Sequence, residues 1–290
     1  MGFLVPVLFA LLAALSNATA TVLQRRAALT VPQSQGFRLS LVLDLLRRPV
    51  WLAGMLAVVV AGAGQAAALA TGPLSLVQPL FVLELPLALL LASLSTGRRM
   101  PPVMWAGVAA VVAGLGIALG AASPYGGQGE VSAPRWAFGL AAGAAAALLL
   151  AGAGLRRPVG KARAGCLGAA TAVCYALTAA LMKDSMRVLD TAGVTGFLTA
   201  WQTYAFAAAG VGAVLLLEHS MQGGPLVASQ PALTLGDATV SLLLGVFLYL
   251  EHLRTGWWLL PQALGVALVV LGVLSLARHG IDLRTGHRPH

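Results

Sequence analysis

Two carboxylic acids stand where water is scarce. Glu84 lies inside the apolar run Leu74–Leu94, and Asp237 lies inside Ser229–Leu250. A carboxylate in the hydrocarbon core of a bilayer is costly unless it is paired, protonated or facing water. Each acid follows a Gln-Pro pair: Glu84 is six residues after Gln78, and Asp237 is seven after Gln230. An acid so placed can bind and release a proton, or hold a metal ion or an amine. Pro79, Pro86 and Pro231 mark the same regions. A proline frees the carbonyl one turn earlier, and in lipid that carbonyl needs a partner or a cavity. Glu84, Asp237, Gln78 and Gln230 therefore form the candidate set for substrate binding or proton coupling. Asn17, Gln65, Tyr175, Gln202 and Tyr204 are further candidates for lining a polar cavity. An intramembrane amide such as Gln262 serves more often as a bond between helices.

Other chemistry is excluded on specific residues. No H-E-x-x-H pattern and no Gly-rich phosphate loop occurs. Leu235-Gly236-Asp237 has part of an intramembrane aspartyl protease motif. However, Thr234 stands where that motif needs glycine, and a second aspartate in a neighbouring span is missing. His287 and His290 are too sparse for a metal site. Glu251 and His252, beside Arg254, read as an exposed, charged helix end. The expectation is a protein that is not an enzyme and carries no cofactor; which metal it would bind, if any, is left open.

The elements that must position these residues are long apolar helices. Of 290 residues, 59% are hydrophobic and 9% charged, against roughly a quarter charged in a soluble domain. The apolar runs match the thickness of a bilayer core, whereas a β-barrel would show short alternating strands. Nine spans are expected: Phe3–Leu23, Val50–Ala70, Leu74–Leu94, Val103–Ala122, Trp136–Leu155, Ala164–Met182, Thr195–Leu217, Ser229–Leu250 and Trp257–Ala277. Ala18-Thr19-Ala20 resembles a signal-peptidase site, but no positive charge precedes this run, so it reads as a retained helix.

The net charge of +9 does not indicate nucleic acid as a partner, because the Lys and Arg residues lie in short loops. With the N-terminus outside, 14 of the 18 Lys and Arg fall on interior loops and the tail. That bias places the C-terminus in the cytoplasm of a plasma-membrane protein. Phe37 to Arg48 reads as an amphipathic helix in the inner interface. Cys166 and Cys174 are eight residues apart on one helix, too far along the axis for a disulfide. Gly116 and Gly120 form a small-xxx-small pair, which suits either internal packing or a homodimer face.

The chain also repeats itself. Gly72-Pro73-Leu74-Ser75-Leu76-Val77-Gln78-Pro79 matches Gly224-Pro225-Leu226-Val227-Ala228-Ser229-Gln230-Pro231 at five of eight positions, 152 residues apart. Gly62-Ala63-Gly64 resembles Gly210-Val211-Gly212, and Gly107 and Gly114 resemble Gly265 and Gly272. Spans one to four thus correspond to spans six to nine. Corresponding spans are five crossings apart, so their orientations are inverted. The fold class expected is all-α: a polytopic membrane protein of nine transmembrane helices, in two inverted four-helix repeats joined by a linking helix. Residues 1–124 form the first repeat, 125–162 the linking helix and its loops, 163–279 the second repeat and 280–290 a cytoplasmic tail.

The repeated Gly-Pro-Leu-x-x-x-Gln-Pro block resembles the drug/metabolite transporter superfamily, in its EamA-like form, over nearly the whole chain. So do Leu244-Gly245-Val246-Phe247-Leu248-Tyr249-Leu250-Glu251 and Gln262-Ala263-Leu264-Gly265 with Gly272. Where that superfamily often has glycine before the glutamate, this chain has Leu250. The nine-span layout, with Ser16-Asn17 near Gln24-Arg25-Arg26, is most similar to the NIPA-type magnesium transporter branch. The resemblance implies a secondary transporter of a small polar or cationic solute, working by alternating access around a midplane site. A divalent cation such as magnesium is the alternative cargo it implies. A membrane scaffold without transport activity is the reading from another class, and it has no need of a repeat or of paired intramembrane acids.

Overall fold

The computed structural model describes residues 3–29, 48–97, 99–127 and 129–285. Ten α-helices run in chain order among these residues: α1 (Leu4–Leu29), α2 (Pro49–Thr71), α3 (Leu74–Leu80), α4 (Glu84–Thr96), α5 (Pro102–Ala122), α6 (Ala133–Leu155), α7 (Lys161–Thr199), α8 (Trp201–Gln222), α9 (Leu226–Phe247) and α10 (Leu259–Thr285). Two short strands, β1 (Tyr125–Gly126) and β2 (Glu251–His252), pair antiparallel. Among the described residues nine stretches are long and apolar enough to cross a bilayer. A helix satisfies all its backbone groups internally, which is why such sequences adopt it in lipid. The expected helix from Phe37 to Arg48 and the tail beyond Thr285 lie outside the described residues, apart from Arg48 itself.

Prolines set several boundaries. Pro49, Pro102 and Pro134 occupy the first turns of α2, α5 and α6, where a missing N–H does no harm. In the third span the effect is different. Here α3 gives way to a 3-10 turn at Phe81–Leu83 before α4 resumes at Glu84. Pro86 explains the break, because its ring would collide with the Val82 carbonyl in a regular helix. Glu84 is therefore the first residue after a discontinuity. The eighth span has only Pro231 and stays one continuous helix.

Several boundaries differ from the sequence reading. The sixth span was expected to end at Met182, but α7 continues to Thr199, with a kink at Gly193 (φ 65°). The residues past Met182 remain helical because Lys183, Asp184 and Arg187 find partners there, as described below. The seventh span consequently starts at Trp201 instead of Thr195. The eighth stops at Phe247 because Leu250 turns the chain with φ 54°.

The helices pack in pairs. α1 lies on α2, α7 on α8, α3 on α9, and α5 on α10. Glycines make the last contact close. A Cβ on Gly114 would come 2.6 Å from the Gly265 carbonyl oxygen, and one on Gly265 would come 2.6 Å from that of Gly114. One turn pair away, a Cβ on Gly272 would lie 2.8 Å from the Gly107 oxygen. The helices therefore cross antiparallel with backbones touching, as small residues permit in membranes. Among the described residues nothing lies within 4 Å of a Cβ added at Gly116 or Gly120, and both glycines are exposed.

A first prediction follows. Gly114→Leu or Gly265→Leu should separate α5 from α10 and cost about 1–3 kcal/mol or more. Thermal unfolding of the purified protein in detergent should show a lower midpoint for both. Gly116→Leu should leave it unchanged, and an equal loss there would refute this account of the contact.

Candidate functional site

Four helices bring polar side chains to one region of the interior. Glu84, at the start of α4, accepts a hydrogen bond from Asn17 Nδ2 of α1 at Oε2, 2.7 Å away. Asp237, midway along α9, accepts one from Ser241 Oγ at 3.3 Å. Glu84 follows directly on the Phe81–Leu83 turn, which packs against α9, the helix of Asp237, and α9 also packs along α7, the helix of Tyr175. Acids from the third and eighth spans thus share one neighbourhood with a phenol and an amide. The break before Glu84 carries it off the regular helical path at this point.

The two Gln-Pro glutamines differ. Gln78 is 2% exposed, and its Nε2 has no partner. An unpaired buried amide N–H is costly. Gln230 on α9 is half-buried. Gln65 is half-buried on α2, which packs against α1 and α7.

Two expected lining residues belong elsewhere. Tyr204 is 64% exposed and donates its hydroxyl to the Leu198 carbonyl at 2.7 Å. It faces outward from α8 because that carbonyl, just past the kink in α7, is its partner. Gln202 donates to Asp184 Oδ2 at 3.1 Å, in a separate cluster. Gln262 bonds the Arg254 carbonyl at 2.7 Å and ties a connection down.

That separate cluster was not foreseen. Glu251, expected as an exposed helix end, is 3% exposed. Its Oε1 accepts the Leu74 N–H at 2.7 Å, and its Oε2 accepts the Ser75 N–H at 2.8 Å and the Ser75 Oγ–H at 2.6 Å. Lys183 Nζ stands 3.8 Å from Oε1, donates to the Gly72 carbonyl and lies 5.4 Å from the Tyr249 ring centroid. The Tyr249 hydroxyl donates to the Ala180 carbonyl at 2.6 Å. Burial, then the carboxylates of Asp184 and Glu251, push this phenol well above its ordinary range, so it remains a donor. Asp184, 1% exposed, accepts from Trp136 Nε1 at 3.1 Å, Gln202 Nε2 at 3.1 Å and Arg187 Nε at 2.9 Å.

The missed signal is local. A Cβ at Gly245 would strike the Glu251 carboxylate and crowd Ser75, so that glycine reserves space for the acid. Leu250 takes the left-handed conformation and folds Glu251 back over the end of α9.

An uncharacterised protein of Corynebacterium glutamicum is 32% identical to this chain over 281 residues, which is 94% of each. The chain belongs to the family of that corynebacterial protein. No family model and no solved structure matches it. The similarity extends over nearly the whole chain and is not confined to one half. The fold also has a lateral groove of about 470 Å³ between α6, α7 and α9. Phe138, Ala142, Leu177, Leu243 and Phe247 line it, and neither Glu84 nor Asp237 reaches it. It is an apolar recess distinct from the acid pair. Among the described residues no three His, Cys, Asp or Glu converge as metal ligands, and both cysteines are free.

Proposed function

We propose that this protein is a secondary transporter of a small polar or cationic solute, built on the drug/metabolite transporter plan. The observation that carries the reading is the juxtaposition of Glu84 and Asp237. Corresponding spans of two halves each contribute one acid, and those two spans pack against each other. In a bilayer such a pair is expensive to maintain and is retained where a cation or proton must be held. Asn17 and Ser241 orient the two carboxyls.

The glycine contacts favour the inverted repeat that alternating access requires. Gly107 corresponds to Gly265, and Gly114 to Gly272. A two-fold axis would exchange the Gly107–Gly272 contact with the Gly265–Gly114 contact, and both contacts exist. α3 against α9 and α5 against α10 are likewise pairings of equivalent spans. The loop charges orient the molecule in a cell membrane, N-terminus outside and C-terminus in the cytoplasm.

The test is flux. Purified protein in proteoliposomes should take up a labelled solute from a panel of organic amines, polar metabolites and Mg²⁺, driven by a proton or solute gradient. Uptake of an organic cation that excess Mg²⁺ does not compete supports the leading reading. Saturable Mg²⁺ uptake would move the assignment to a divalent-cation pathway. Absence of flux across the panel, in protein shown to be folded, would favour a scaffold.

A further inference from the structure

The two halves of the chain are not in the same conformation, and one set of bonds accounts for the difference. The block Leu74–Leu80 is buried at every residue. Its counterpart beginning at Leu226 is mostly half-buried, with only Ser229 and Pro231 enclosed. The sealed block lies at the end of the bundle where α2 stops, α3 starts and α9 leads into β2. There Glu251, from the second half, takes three hydrogen bonds from Leu74 and Ser75 of the first half. Lys183, also from the second half, bridges to the Gly72 carbonyl and to Glu251 itself. The β1–β2 pairing and the stacked rings of Tyr125 and His252, 5.7 Å apart, cover this junction.

The corresponding connection at the opposite end, residues 97–101 between the third and fourth spans, contains no Asp or Glu and carries Arg98 and Arg99. Arg99 is exposed. A cation cannot accept hydrogen bonds from backbone amides, so this connection cannot close its junction as Glu251 does.

We propose that Glu251 is a latch between the two halves: it holds the end of the bundle above Gln78 shut and makes the state closed at that end the resting one. Opening that end requires the Glu251 carboxylate to leave the Leu74 and Ser75 amides, while Lys183 releases the Gly72 carbonyl. The charge matters because a carboxylate offers two acceptor oxygens to three donors, and charge-assisted bonds are roughly twice as strong as neutral ones. Gly245 supplies the room for that carboxylate, and the Leu250 turn aims it. This inference rests on the transporter reading for its purpose, but its geometry can be tested without any flux.

The experiment uses the full chain in lipid nanodiscs, with Cys166 and Cys174 changed to serine and Leu74→Cys as reporter. Leu74 is fully buried under the latch. A membrane-impermeant maleimide should react slowly with the reporter when Glu251 is present. Glu251→Gln, which keeps size but loses charge, should speed labelling at least tenfold, and Glu251→Ala should speed it further. Ser75→Ala removes one hydrogen bond and no charge, so it should give a smaller rise, about threefold. An unchanged rate in folded Glu251→Gln would overturn the latch. Should both Glu251 variants fail to fold, the Ser75→Ala rate decides in the same way. Faster labelling without flux in any variant would keep the latch and remove the transporter; normal flux with unchanged labelling would do the reverse.

Discussion

Replacing Glu84 with Gln, or Asp237 with Asn, should reduce gradient-driven uptake to background while the protein still inserts and folds. Both changes keep volume and a hydrogen-bond acceptor. Asn17 can still donate to the amide oxygen at position 84, as it now does to Glu84 Oε2 at 2.7 Å. Ser241 can likewise donate at position 237, where the bond measures 3.3 Å. The fold is therefore spared, and only the charge and the ability to titrate are removed. On the transporter reading both acids serve one cation or proton, so their effects should not add: the double variant should be no worse than either single one. Any pH dependence of wild-type uptake should vanish in both. Uptake should be measured in proteoliposomes beside a thermal-unfolding control. Full uptake in both single variants would reduce the acids to structural residues and remove the basis for a coupled mechanism.

The sequence made the acids legible for a simple reason. Burial of a carboxylate in a long apolar run is anomalous wherever the run folds, so Glu84 and Asp237 stand out without any knowledge of packing. The nine apolar stretches were legible on the same ground, because in lipid a helix is the only local solution for the backbone. Gly107, Gly114, Gly265 and Gly272, singled out by their spacing, meet one another across a single crossing.

What was not legible depended on where the chain turns back. Glu251 and Arg254 stand together beyond an apolar run, and in sequence such residues look like a solvated helix end. Only the left-handed turn at Leu250 brings Glu251 onto the amides of Leu74 and Ser75. That contact spans 177 residues, and no local pattern reports it. Gln202 and Tyr204 failed as lining candidates for a related reason. Periodicity places a residue on a helix, but which helix it faces depends on the kink at Gly193 and the restart at Trp201.

The second large effect should come from Asp184, a residue whose role is support. Asp184→Ala should lower the unfolding midpoint by roughly 5–10 °C, which corresponds to about 3 kcal/mol for a chain of this size. Asp184 lies 1% exposed among donors from three helices: Trp136 on α6, Arg187 on α7 itself and Gln202 on α8. Truncation would leave the indole N–H and the amide N–H without an acceptor, and would strand a half-buried guanidinium. Leaving buried donors unpaired costs more than the bonds contributed. Asp184→Asn retains one acceptor oxygen and should cost less than half as much. Arg187→Ala should also be milder, because its second partner, Glu130, has a side chain 89% exposed, and such pairs contribute little. The Trp136 ring packs edge-on against Tyr249 at 6.5 Å, so loosening Asp184 should reach the Lys183–Glu251 junction through that ring. Combining Asp184→Asn with Glu251→Gln should therefore destabilise by a different amount than the two changes summed. Strict additivity in thermal unfolding would mean that the two buried acids act independently, with Trp136 and Tyr249 merely filling the space between them.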